Sequence, residues 1–450
     1  MKSDLAAHYG QERLPRYTSY PTAPHFSNSV GCDTYAEWLQ SIPRSSRTSL
    51  YLHVPFCRSM CWYCGCHTSI TRRDEPIAAY VAALRREIGL VSAQVGRPVQ
   101  VDHIHFGGGT PTIMAPELFV GLVDALRFSF FVPREAEVAV EIDPRTLTAE
   151  MIGALARGGV NRASLGIQSF DPIVQKAINR VQSFTETAIA TDGLRRAGVT
   201  SVNFDLIYGL PYQSVGSCLN TVRKCLELRP NRLSVFGYAH VPTFKKHQRK
   251  IKDSSLPGSS ERHRQSVAIG AALKKAGYVQ IGLDHFVLPG DPMEVAMRDG
   301  SLHRNFQGYT TDTGNVLLGF GASAIGHLEQ GYVQNEVGIR TYLDRISAGK
   351  LATARGFALS DDDRLRAKII ERIMCDFGVD LGQVCAHHGV SPATVLKTAQ
   401  RLDDLISNGI VELEGTSLSV PEGSRFLVRT IAAAFDAYLD RSMQIHSAAV

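Results

Sequence analysis

The stretch SLYLHVPFCRSMCWYCGC, Ser49 to Cys66, decides how the rest of the chain is read. SLYLHV (49–54) has the composition of a buried strand and runs straight into a loop holding four of the chain's nine cysteines. Cys57, Cys61 and Cys64 have the spacing C-x3-C-x2-C. Thiolates at that pitch suit a short loop wrapped around one corner of an iron–sulfur cube, which normally takes four cysteines. If Cys66 does not close the set, one iron stays open to bind and polarise a ligand, as in catalytic rather than structural metal sites. A disulfide pair is disfavoured, because the remaining cysteines are scattered and no secretory signal precedes them. Zinc held by Cys57, Cys61, Cys64 and either Cys66 or His67 is the other reading. It lacks the second, distant C-x2-C knuckle that zinc sites usually pair with the first.

Outward from this stretch the chain alternates. β-rich apolar runs recur at 49–54, 101–106, 136–142, 162–167, 201–207 and 232–238. Between them lie segments with apolar residues three and four apart, such as PIAAYVAALRREIGLVSAQV, ELFVGLVDALRFSF and PIVQKAINRV. Six strand–helix repeats predict parallel β/α units with right-handed crossovers, an open (β/α)6 version of the eight-unit TIM-like barrel. Chemistry in such barrels sits at the C-terminal ends of the strands. The cysteine loop follows the first strand, and GGGTPT (107–112) follows the second. The glycines are expected to let backbone approach a ligand and expose N–H groups to it. Glu141 ends the third strand, Gln168 ends the fourth and Asp205 lies in the fifth. Singly, each reads as an ordinary hydrogen-bonded polar residue; with the cysteine loop they converge on one cavity.

The flanks differ. Residues 1–48 contain RLPRYTSYPTAPHF, which reads as an extended N-terminal arm and, on composition alone, as a surface tail. Residues 240–330 are less regular; KKHQRKIKD reads as a solvated face or an attractor of carboxylates. HRNFQGYTT has the character of a functional loop. Past about residue 350 the pattern becomes mainly helical with a small hairpin, a winged-helix-like domain without a basic recognition helix. The expected divisions are therefore 1–48, 49–350 and 351–450. A net charge of +5, 44% hydrophobic residues and no long apolar run describe a globular chain and argue against nucleic-acid and membrane partners. Nine cysteines without a secretory signal imply a reducing, cytoplasmic setting. No coiled coil or long exposed apolar strand calls for a second copy, so a monomer is expected.

The three-cysteine spacing resembles that of the radical S-adenosylmethionine (SAM) superfamily. PRYTSYPT, YLHVPFCRSMCWYCGC, HFGGGTPT, EIDPR, NFDLIYGLP, LSVFGYAHVPT and HRNFQGYTT together resemble the oxygen-independent coproporphyrinogen III oxidases of haem biosynthesis, over nearly the whole chain. The resemblance implies one 4Fe–4S cluster on Cys57, Cys61 and Cys64, with Cys66 near but not ligating. It implies two SAM molecules: one met by Tyr51, Tyr63, Gly108, Glu141 and Ile325, the other by Gly109, Thr110, Gln168, Arg180, Asp205 and Ala239. It also implies coproporphyrinogen III as substrate and a flavodoxin-type reductase as electron donor. The terminal electron acceptor and any protein acid or base are unassigned. Two rivals follow from the same superfamily: a haem-carrying chaperone, disfavoured by the arm and Cys66, and an oxidase paralogue with another substrate.

Overall fold

A computed structural model describes residues 9, 12–399 and 401–439. The remaining parts of the expected arm and C-terminal domain, residues 1–8, 10–11, 400 and 440–450, lie outside the described residues. Six strands form where the apolar runs lie: β1 (Arg47–Val54), β2 (Gln100–Gly108), β3 (Glu137–Ile142), β4 (Arg162–Gln168), β5 (Ser201–Tyr208) and β6 (Arg232–Gly237). Each pairs in parallel with the next. Helices cover the outside. The longest, α1 (Glu75–Val95), buries Ile77, Val81, Leu84, Ile88, Val91 and Val95 on one face. That three-and-four spacing is the stripe read from the sequence. Leu84 and Ile88 are fully buried; each such side chain stabilises the fold by about 1.5–3 kcal/mol.

The sheet is larger than six strands. The less regular stretch supplies β7 (Val279–Ile281), β8 (His285–Val287), a separate hairpin of β9 (His303–Asn305) and β10 (Gly308–Thr310), and β11 (Val316–Phe320). It is followed by β12 (Ile325–Leu328), β13 (Gly331–Asn335) and β14 (Thr353–Ala358). The resulting order is β14-β13-β12-β11-β1-β2-β3-β4-β5-β6-β8-β7, twelve strands in one sheet. β11 lies parallel to β1, so a seventh parallel strand extends the six-unit barrel on its first edge. The hairpin of HRNFQGYTT lines the barrel interior through Gln307, Tyr309 and Thr310.

β14 joins the large sheet although it lies past residue 350, and the helical unit opens only at α2 (Asp361–Asp376). Short helices and a three-stranded sheet of Gly378–Asp380, Ser417–Ser419 and Glu412–Glu414 complete that unit. Its core corrects the reading of the arm as a surface tail. Tyr9, Leu14, Tyr17 and Tyr20 are buried against Ile369, Ile373, Leu405, Val428 and Phe435 in one cluster. Among the described residues no helix is long and apolar enough to cross a membrane.

Candidate active site

The cysteine loop leaves β1 and crosses the ends of the other strands. Its backbone is held from two sides. Trp62 N–H donates to Ile178 O at 2.9 Å, and Asn179 Nδ2 donates to Met60 O at 2.8 Å. From the segment after β6, Gln248 Nε2 donates to Tyr63 O at 3.0 Å and to Ala239 O at 3.2 Å. His247 Nε2 donates to Cys64 O at 2.7 Å, and Lys245 Nζ to Cys66 O at 3.0 Å. PIVQKAINRV, read as one helical run, stops at Ala177, and Asn179 takes a left-handed φ of 54°. Asparagine tolerates that conformation, and the turn sends the buried Arg180 back towards the cysteines.

Cys57, Cys61 and Cys64 line one cleft of about 630 Å³ at the barrel mouth, together with Tyr63, Gly108, Gly109, Thr110, Glu141, Gln168, Arg180, Asp205 and Ala239. Their sulfurs face donors. Thr68 Oγ1 and Thr110 Oγ1 lie 3.3 and 3.4 Å from Cys57 Sγ. Arg180 Nη1 and Arg145 Nη2 lie 3.6 and 3.7 Å from Cys61 Sγ. Hydroxyls and guanidinium groups aimed at sulfur suit thiolates and a thiolate-bound cluster, whose potential such hydrogen bonds tune. A hydrogen bond from Cys66 lowers the Cys64 thiol to about 7, against its burial and with help from Lys245 and Arg180. Burial pushes the Cys57 thiol up.

The carboxylates divide by role. Asp143 accepts from Arg145 Nη2 at 2.6 Å and from Arg180 Nη2 at 3.3 Å. Burial raises its pKa, but the two arginines outweigh that and hold it low. On the cleft wall Glu141 accepts from Gly108 N–H at 3.1 Å and from His105 Nε2 at 3.2 Å. Burial again raises it, and His105 with the amide brings it below the ordinary value. It is therefore an ionised acceptor. Asp205 accepts from Ser164 Oγ at 2.7 Å and Asn203 Nδ2 at 2.8 Å, and burial pushes it up. Gln168 sits at φ 65°, a strained position for a side chain of its size, with Oε1 buried and unpartnered. Arg180 Nε is likewise buried without an acceptor. Orphaned polar atoms on a cleft wall call for a polar ligand.

Two expectations change. The glycine run does not offer free N–H groups to a ligand. Gly108 N–H donates to Glu141, Gly109 N–H to Val54 O at 2.9 Å and Thr110 N–H to Phe56 O at 2.8 Å. The glycines instead let the cysteine loop lie on the end of β2: a Cβ on Gly109 would come within 2.6 Å of Phe56 O, and Gly108 has φ 112°. Tyr51 and Ile325 are not among the residues of the cleft wall. Tyr51 stands behind it, its hydroxyl 3.0 Å from His53 Nδ1 and its ring stacked on His105 at 5.9 Å. Because His53 Nε2 faces His67 O at 2.9 Å, Nε2 carries the proton and Nδ1 accepts from Tyr51. Ile325 lies two strands away, packed against Gly319, which pairs with Tyr51. Reasoning from sequence missed Asp143, Arg145, His105 and the bracing residues His247 and Gln248. EIDPR carried a signal for the first two; HFGGGTPT and KKHQRKIKD contain the others, but nothing in those stretches told their roles.

An open barrel with three cysteines on one loop at its mouth defines a radical SAM protein, and the Radical SAM superfamily profile matches residues 51–225. A second profile, the HemN C-terminal domain, matches residues 359–427. The chain is 65% identical over 450 residues to the oxygen-independent coproporphyrinogen III oxidase of Bradyrhizobium diazoefficiens, covering 100% of both chains. It is 43% identical to the enzyme of the same name in Cereibacter sphaeroides, over 95% of this chain and 94% of that one. The solved structure of coproporphyrinogen III oxidase (HemN) from Escherichia coli, described as a radical SAM enzyme, superposes with a TM-score of 0.90 at 36% identity. It covers 95% of this chain and 100% of that one. The chain belongs to the oxygen-independent coproporphyrinogen III oxidase family.

Proposed function

We propose that the cleft holds one 4Fe–4S cluster on Cys57, Cys61 and Cys64 and two SAM molecules, and that it converts coproporphyrinogen III to protoporphyrinogen IX without oxygen. The reaction class is that of the family: oxidative decarboxylation, in which two propionate side chains each lose carbon dioxide, a hydrogen atom and an electron to become vinyl groups. The observation that carries the reading is the meeting of three cysteines with the orphaned atoms of Gln168 and Arg180 on one cleft. When bound, a reduced cluster and SAM supply a carbon-centred radical able to remove hydrogen from an unactivated carbon.

The chain's own residues do the placing. Arg145 and Arg180, fixed by Asp143, hold charge against the Cys61 sulfur and keep the loop in position. Glu141, ionised and anchored, is an acceptor for a ribose hydroxyl or an ammonium group of the first SAM, with Tyr63 and Gly108 beside it and Tyr51 and Ile325 supporting from behind. Gln168, Arg180 and Asp205, with Gly109, Thr110 and Ala239, form the polar wall for the second. The arm and the β9–β10 hairpin close the barrel and exclude water from the reacting carbon. Cys66 adjusts Cys64 without serving as a ligand.

The electron donor is an acidic, flavodoxin-type protein. The exposed Lys246, Arg249 and Lys250 lie in the segment that grips the cysteine loop, with Lys250 Nζ 5.3 Å from the Trp62 ring centroid. The monomer reading rests on the sequence, which has no coiled coil or long exposed apolar strand, and the nine free thiols fit a reducing cytoplasm. The working divisions are an arm to residue 48, a catalytic unit extended to 358 by β14, and a helical unit from 359.

Anaerobic reconstitution tests the reading. With dithionite, SAM and coproporphyrinogen III, chromatography is expected to show protoporphyrinogen IX and about two 5′-deoxyadenosines per product, one for each propionate. Deoxyadenosine without porphyrin product would overturn the substrate, and tight haem binding without SAM cleavage would overturn the enzyme reading.

A further inference from the structure

Beside the reaction cleft, past the ends of β5 and β6, a smaller cavity is lined by Arg16, Arg262, Arg304 and Arg429. Four guanidinium groups come there from four parts of the chain: the arm, the helix Ser259–Lys275, the β9–β10 hairpin and the C-terminal unit. Arg16 also lines the reaction cleft, so the two spaces share a wall. Among the described residues lining the smaller cavity, Asp284 is the only carboxylate. It already accepts a hydrogen bond from His285 Nδ1 at 2.6 Å.

Main-chain carbonyls accept from these arginines. Arg16 Nη2 donates to Gly237 O at 3.2 Å, Arg304 Nη2 to Arg16 O at 3.2 Å and Arg262 Nη1 to Tyr238 O at 2.9 Å. Arg429 Nε donates to Pro15 O at 2.9 Å, and its Nη2 to Leu14 O. Three N–H groups, Arg262 Nε and Arg304 Nε and Nη1, are buried with no acceptor. A native fold seldom leaves such donors orphaned. Burial, and after it mutual repulsion with Arg16 and Arg304, lowers Arg429 to about 9. Arg262 is pushed in the same direction, burial first.

We infer that this arginine cluster is a carboxylate subsite, and that it holds the propionates of the tetrapyrrole that are not decarboxylated. The inference rests on the substrate reading given above. A guanidinium fork fits a carboxylate through two parallel hydrogen bonds. A reacting propionate is a poor occupant, because stabilising its carboxylate in the ground state opposes loss of carbon dioxide. The retained propionates have no such conflict. Held there, they aim the opposite side of the macrocycle across Arg16 towards the cysteine loop. Tyr309, under the Arg304 guanidinium at 4.5 Å, keeps that fork flat and in place.

The test is porphyrin binding by fluorescence quenching to the reconstituted protein, with its cluster absorption as the check on folding. Two probes are used: coproporphyrin III, with four propionates, and mesoporphyrin IX, with two. Arg262→Gln and Arg304→Gln are each expected to weaken both probes about tenfold or more, the loss of a charge-assisted hydrogen bond. SAM affinity is expected to hold. Arg264→Gln, an exposed arginine paired with Glu261, serves as the charge control. Unchanged porphyrin affinity in folded Gln variants overturns the subsite. Weakening of coproporphyrin III alone overturns the assignment to the retained propionates, and loss of SAM instead of porphyrin assigns the cluster to the SAM carboxylate and overturns it too. If the Gln variants do not load a cluster, Arg262→Lys and Arg304→Lys take their place. An ammonium cannot present the fork, so unchanged affinity there also refutes the subsite. Failure of the wild-type protein to bind either probe would count against the substrate reading, whereas wild-type binding with insensitive arginines counts against the subsite alone.

Discussion

Glu87 makes the barrel's stability depend on pH near neutrality. It projects from α1 into the core and is 2% exposed. Its Oε2 accepts from Gly321 N–H at 2.7 Å and Tyr342 OH at 2.8 Å, and its Oε1 from Asn335 Nδ2 at 2.6 Å. These bonds tie α1 to the loop after β11 and to the end of β13. No cation faces it in these contacts, and burial raises its pKa from 4.5 to about 7 despite the three donors. A carboxyl raised in the folded state binds more protons folded than unfolded between those two values. Its contribution is therefore full below about pH 4.5 and is lost as pH rises through about 7. Integrating the linkage with these two pKa values gives a fall in unfolding free energy of about 2–3 kcal/mol between pH 5 and pH 8. Urea unfolding of the reconstituted protein, followed by circular dichroism at both pH values, measures it. Glu87→Gln cannot titrate, and although it loses an acceptor its own change over the same interval is expected to be smaller by that amount. An equal change in the two proteins would refute the assignment of this dependence to Glu87.

Further outcomes follow from the site. Cys61→Ala is expected to abolish the iron–sulfur absorption after reconstitution, whereas Cys66→Ala keeps it; loss of the cluster in Cys66→Ala would make Cys66 a ligand. Asp143→Asn leaves Arg145 and Arg180, 16% and 7% exposed, without their counter-charge. Breaking a buried pair of this kind costs about 3–5 kcal/mol, and a urea midpoint equal to wild type would contradict it. Glu141→Gln keeps an acceptor for the Gly108 amide but removes the charge offered to SAM; equilibrium dialysis is expected to show SAM bound about tenfold more weakly. Undiminished affinity would show that Glu141 only supports the glycine run.

The six parallel strands were legible because each is an apolar run bounded by helical periodicity, and a parallel strand buried on both faces has no other way to look. The convergence of Cys57, Glu141, Gln168 and Asp205 on one cleft was legible for the same reason: strand order fixes where strand ends meet. What was not legible is how groups distant in sequence pair. The amides of the glycine run looked available only because their acceptors, Val54, Phe56 and Glu141, lie on other segments. Helical periodicity in PIVQKAINRV gave no sign that Asn179 would turn the chain and deliver Arg180 to Cys61. β11 was hidden because it enters the sheet beside β1, against chain order.

The C-terminal unit has the outline of a winged helix, and its use here follows from what covers it. Glu12 pairs with Arg401, and Tyr9 OH donates to Asp404 at 2.6 Å, so the arm lies against the helical turn Leu402–Ser407 and the residue before it. Tyr17 OH donates to Asp436 at 3.0 Å, and Arg429 grips the carbonyls of Leu14 and Pro15. One residue further on, Arg16 reaches the reaction cleft. The unit therefore acts as a clamp that fixes the arm by its aromatic side chains so that one arginine can be delivered to the barrel mouth. Tyr17→Ala tests this coupling. Removing a buried aromatic destabilises by about 3–5 kcal/mol, and if the clamp positions Arg16, it also weakens coproporphyrin III binding although Tyr17 is absent from the walls of the cleft and of the arginine cavity. A stability loss with porphyrin affinity intact would reduce the unit to a structural support.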